Sequence, residues 1–191
     1  MIALRDVVAG LTGAWRLARF DPRGMSYLDT TITGYWRSFY GALLCLPAYV
    51  VMVAIDVQRT PVLASLERLL TVHAIAYVIN WTAFPLAMTW AVGLLDREEY
   101  YLRYITARNW AEVLEMALFV PALILAATDA SWFEPLPAFA AFVVFCYQWF
   151  VARTALDTSG VQALAVVGLN LVLDLVLLIA LQVLLPAVAI S

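Results

Sequence analysis

Apolar residues gather along this chain into five stretches, at residues 38–55, 69–95, 109–127, 138–156 and 161–185. Each exceeds the ~17 residues that a helix rising ~1.5 Å per residue needs to cross a hydrocarbon core ~30 Å thick. The fold class that follows is all-α: a polytopic membrane protein in which residues 38–191 form a five-helix transmembrane domain. Residues 1–37 follow a different pattern. Between residues 3 and 20, Leu4, Val7, Leu11, Trp15 and Ala18 share one stripe while Arg5, Thr12, Arg16 and Arg19 fall largely elsewhere. This spacing predicts an amphipathic helix lying on the membrane surface. Asp21 to Gly24 (DPRG) reads as a turn, after which Tyr27, Tyr35, Trp36 and Tyr40 supply interfacial aromatics leading into the first span.

Two helix starts carry local signals. Thr60 followed by Pro61 has the form of an N-cap with proline at the first helical position of span 2. Ser159 and Gln162 have capping-box spacing at the start of span 5, which predicts a tight turn from span 4 and an antiparallel pair. Within span 2, Ala83, Ala87 and Ala91 recur every fourth residue, a helix-packing stripe that lets two helices approach closely.

Composition removes the soluble alternatives. Hydrophobic residues make up 65% of the 191 and mean hydropathy is +0.90, against the roughly 45–50% apolar share of a soluble domain. The segments outside the spans leave no room for a soluble catalytic domain. Cys45 and Cys146 both lie within spans, where they act as small hydrophobes and give neither a disulfide framework nor a metal site. A net charge of -3 without a basic run gives no sign of nucleic-acid binding.

Charge changes the picture through its placement. All eleven positive charges are arginine. Arg5, Arg16, Arg19, Arg23 and Arg37 precede span 1; Arg97, Arg103 and Arg108 lie between spans 2 and 3; Arg153 closes span 4. Only Arg59 and Arg68 fall on the alternate side. The positive-inside rule then predicts a cytoplasmic N-terminus and, with five spans, a C-terminus outside. Arg5 and Asp6 interrupt the first apolar run, so it is expected to be retained rather than cleaved as a leader.

The polar residues inside the spans are the candidate chemistry. Asp174 sits near the middle of span 5, where a carboxylate costs ~2.5–3.5 kcal/mol even on a lenient insertion scale. Asn170 precedes it by one helical turn, and Asn80 and Gln148 fall at similar depth. Together with His73, the only histidine, they form an expected intramembrane polar cluster. Arg108, Glu112 and Glu115 share one helix face, and Arg153 ends span 4 on the same membrane side; these four are the expected cytoplasmic ion-pair network. No Walker, GxSxG, HExxH or CxxC motif occurs, so neither enzymatic activity nor a cofactor or metal is expected.

The segments DPRG (Asp21 to Gly24), YWRSF (Tyr35 to Phe39) and ARNW (Ala107 to Trp110) resemble features of uncharacterised small polytopic bacterial inner-membrane proteins, and the layout of spans is similar to that of Yip1-type proteins. The resemblance implies a place in a bacterial inner membrane and no particular activity. Two functions compete. The first is a non-enzymatic scaffold, assembly factor or accessory subunit that packs against the bilayer, itself or a larger membrane complex. The second is a small channel or secondary transporter with a protonatable or cation-binding site at Asp174.

Overall fold

The computed structural model describes residues 4–59, 64–128 and 131–186, and the apolar stretches form helices that run beyond the limits hydropathy marks. In chain order they are α1 (Leu4–Ala18), α2 (Ile32–Ser38), α3 (Tyr40–Arg59), α4 (Leu66–Leu94), α5 (Tyr101–Ala126), α6 (Leu136–Ala155) and α7 (Gly160–Leu184). Counting α2 and α3 as one span from Ile32 to Arg59, five helices are long and apolar enough to cross a membrane. Their outward faces carry residues such as Leu43, Val50, Ile75, Phe139, Val172 and Ile179, as a surface in contact with hydrocarbon requires.

Alternate crossing puts the starts of α3, α5 and α7 on the same side as the ends of α4 and α6, here named the arm side. Around the bundle the order is α3, α5, α6, α7, α4. The backbones of α3 and α4 stay apart, and side chains close that gap: Tyr77 Oη donates to the Ala42 carbonyl at 2.5 Å, and Tyr49 Oη bonds His73 Nδ1 at 3.1 Å. The central element is α5. In its most apolar window 39% of residues are buried, against 17 to 22% in the other spans.

The arm forms the expected amphipathic helix, α1, and it packs on α5 and α6, with Ala14 and Leu17 fully buried. Its buried residues are Gly10, Gly13, Ala14 and Leu17; of the expected apolar stripe, Val7, Leu11 and Ala18 pack against the core while Leu4 and Trp15 are 80% and 58% exposed. Small residues let the helix backbone come within contact of large partners. Gly10 shows this directly, because a Cβ there would overlap the Trp110 indole of α5. Tyr147 Oη of α6 adds a hydrogen bond to the Ala14 carbonyl at 2.8 Å.

Helix ends are capped by the chain's own chemistry. Ser159 and Gln162 form the predicted capping box of α7. Thr60 and Pro61 lie outside the described residues, and α4 starts instead after Ser65, whose Oγ accepts from the Arg68 amide. Asp29 accepts from Thr31 Oγ1 at 2.6 Å ahead of α2; that bond, aided by the Thr31 amide, holds its carboxyl below the usual range against partial burial. At the side opposite the arm, Arg59 donates to the Ala126 carbonyl ending α5, and Arg68 donates to the Leu184 carbonyl ending α7 at 2.9 Å. Both cations thus meet the negative ends of neighbouring helix dipoles.

The fit of α1 generates a test. With the native cysteines replaced, a thiol introduced by Ala14→Cys is expected to resist maleimide in the otherwise native chain. Adding Gly10→Leu should expose it, since overpacking of this kind costs about 1–3 kcal/mol. Equal labelling in the two backgrounds would show that α1 is not held by this seat.

Candidate functional site

Arg108 organises the centre of the bundle. The spacing of apolar residues had placed it in a loop, before a span beginning at Asn109. The helix begins earlier, at Tyr101, so Arg108 lies about two turns inside α5 and is 7% exposed. A guanidinium at that depth needs partners. Its Nη2 donates to Asn170 Oδ1 of α7 at 2.8 Å and lies 3.4 Å from Glu112 Oε2, one turn along α5. The guanidinium carbon also stands 4.5 Å from the centre of the Phe84 ring of α4, a cation–π contact in a desolvated setting.

The next link follows from donor chemistry. A guanidinium only donates, so Asn170 turns its oxygen to Arg108 and its Nδ2 to Asp174 Oδ2, at 2.8 Å. Glu112, Arg108, Asn170 and Asp174 therefore form one connected chain from α5 to α7. Beside it, Gln148 Nε2 of α6 donates to Glu115 Oε2 at 2.8 Å. Glu115 is 6% exposed, and its Oε1 accepts no hydrogen bond among the described residues.

These side chains line a half-open cleft of about 370 Å³ to which every spanning helix contributes. Tyr49 comes from α3, Asn80 from α4, Arg108, Glu112 and Glu115 from α5, Gln148 from α6, and Asn170 and Asp174 from α7. Formal charge in the lining is one guanidinium against three carboxylates. Towards the arm side the space beyond Arg108 shrinks to about 10 Å³, walled by Tyr104, Val151 and Val167, room for a single water at most. Away from the arm the walls turn apolar, with Met52, Phe119, Leu177, Leu178 and Leu181. The cleft thus has a polar floor, one closed end and a greasy throat.

The structure regroups the residues that sequence picked out. Asp174, Asn170, Asn80 and Gln148 all face the cleft, and so do Arg108, Glu112 and Glu115; the two expected clusters are a single site. Two residues do not belong. His73 bonds Tyr49 through Nδ1 and is absent from the lining, because its position on α4 points it at α3. Arg153 is exposed at the end of α6 and stacks 5.5 Å from the Trp149 ring, with no carboxylate in ion-pair range among the described residues. It faces outward while the acids face inward. Ala91 of the alanine stripe packs in the chain's own core, and Ala83 and Ala87 are half-buried.

Sequence reasoning missed Arg108 as an intramembrane group, although a signal was present: the i, i+4 spacing to Glu112 marks it as helical. For Phe84 and Tyr49, apolar and aromatic residues among many, no sequence signal distinguished them. No protein-family model matches the chain, nor does any curated protein or solved structure.

Burial of the Arg108 and Glu112 pair predicts strong coupling. Arg108→Met leaves Glu112 without its cation and should cost about 3–5 kcal/mol, much of it recovered when Glu112→Gln is added. Unfolding in detergent, followed through both single variants and the double variant, measures this; additive losses would show that the two groups act independently.

Proposed function

We propose that this protein is a small secondary transporter in which the central cleft binds a cationic solute in exchange for protons. The observation that carries the reading is the excess of carboxylates over cations in a cleft inside the membrane-spanning part. A network serving only to fix helix register needs neutral hydrogen bonds or balanced pairs, because uncompensated charge in a low-dielectric setting is costly. Glu112 has Arg108. Glu115 and Asp174 have only amides as hydrogen-bond donors and share the Arg108 charge with Glu112, so protons or a bound cation would offset the excess.

Two further features support a carrier. The cleft is walled on the arm side by Tyr104, Val151 and Val167, as closure to one side in an alternating-access cycle requires. Taking Arg108 out of the loops leaves the arginine asymmetry in place, which supports an arm in the cytoplasm and the walled end of the cleft facing it. The scaffold reading loses part of one support, since Ala91 of the alanine stripe packs in the chain's own core.

Proteoliposomes enclosing a pH-sensitive dye test the proposal. Adding sodium, potassium or organic ammonium ions outside should release protons from inside for at least one of them. Asp174→Asn should slow that release by about tenfold or more while leaving thermal stability near the native value. Proton movement no faster than in empty liposomes for every cation tried would overturn the reading.

A further inference from the structure

The lining of the cleft says what kind of cation suits it. On the reading of the cleft as a cation site, we propose that its occupant is an amphipathic amine: a protonated nitrogen carried on an apolar body. Three observations converge. First, acceptors are available and spread apart. Glu115 Oε1 takes no hydrogen bond, Asp174 uses only Oδ2, and the Asn80 amide has no hydrogen-bond partner among the described residues although it faces the cleft. Second, among the described residues no three carboxylate, histidine or cysteine side chains converge closely enough to hold a metal ion. A bare inorganic cation needs several oxygens at one point, whereas N–H donors reach separate acceptors.

Third, polarity is graded along the cleft. The charged floor gives way to Met52, Phe119, Leu178 and Leu181, so a ligand that leaves its nitrogen at Glu115 and Asp174 lays its remainder against apolar walls. A small hydrated ion would leave those walls facing water. The volume of about 370 Å³ falls within the ~300–1,000 Å³ of pockets that accept small organic ligands. Every charged group facing the space has been named: Arg108, Glu112 and Glu115 from α5 and Asp174 from α7, with α3, α4 and α6 contributing neutral Tyr49, Asn80 and Gln148.

Calorimetric titration of the full chain in lipid nanodiscs, with empty nanodiscs subtracted, tests this with three probes. 2-Phenylethylamine should bind saturably, 2-phenylethanol should not, and ammonium chloride should not. Glu115→Gln should weaken the amine by about tenfold, the scale of losing one charged contact. The comparison among probes uses the native protein and so does not depend on any variant folding. Equal binding of the alcohol, equal binding of ammonium, or no saturable amine binding would each overturn the proposal. If the amine fails while sodium or potassium still drives proton release through Asp174, the ligand class falls and the carrier stands. If the amine binds saturably but no cation drives proton release, the ligand class stands and the carrier falls.

Discussion

Every residue of α5 from Tyr104 to Glu112 is buried, which means that this part of the helix has a neighbour on each side. The constraint spreads outward from there, because the segment is not simply apolar. Arg108 must reach α7, Asn109 donates to Ser38 Oγ at 2.9 Å where α2 meets α3, and Trp110 seats Gly10 of α1. Gly41 of α3 completes the ring: a Cβ there would stand 2.7 Å from the Asn109 carbonyl, so α3 approaches α5 only because it carries glycine at the crossing. Successive residues of one short run thus fix four other helices. The accommodation is incomplete, since Thr106 Oγ1 and Asn109 Oδ1 are buried without a hydrogen bond among the described residues. Each such atom costs about 1–3 kcal/mol, which the packing around α5 has to offset.

The cleft is a product of the same arrangement. Because α3 and α4 are bridged by tyrosines rather than packed backbone to backbone, room remains between them and the polar side of α5. Because α1 and α6 close on the other side of α5, that room ends at Tyr104 and Val151 instead of running through. The arm therefore does structural work for the site without touching it. Tyr147, which holds Ala14 of α1, sits one residue before Gln148, which holds Glu115.

Much of the fold was legible in the sequence, and the reason is physical. A hydrocarbon core admits only helices or closed barrels, and the five apolar stretches are too long for barrel strands, so all five helices were visible. Helix limits were less legible where polar residues lie inside the bundle. Tyr101 to Arg108 reads as loop by hydropathy, yet it is helix because neighbouring helices, not lipid, surround it. On α1 the expected stripe is part of the packed face: Val7, Leu11 and Ala18 pack inward, and Gly10, Gly13 and Ala14 beside them allow the close approach. For the site, Asp174, Asn170, Glu115 and Gln148 stood out as costly groups in apolar surroundings. Their union into one chain did not, because the connection runs through Arg108 between helices far apart in sequence.

The Arg108 and Glu112 pair also bears on how the chain is made. Synthesis delivers α5 to the membrane before α7 exists, so Arg108 has neither Asn170 nor Asp174 when it first leaves water. The carboxylates near it at that moment are those of its own helix, Glu112 one turn away and Glu115 beyond it on the same face. An arginine alone would make this span the least willing of the five to insert; carrying its counter-ion on its own helix lets α5 enter as a nearly neutral unit and wait. When α7 arrives, the amide of Asn170 joins an ion pair already formed, and the last helix locks a charge that the third span had to shelter by itself.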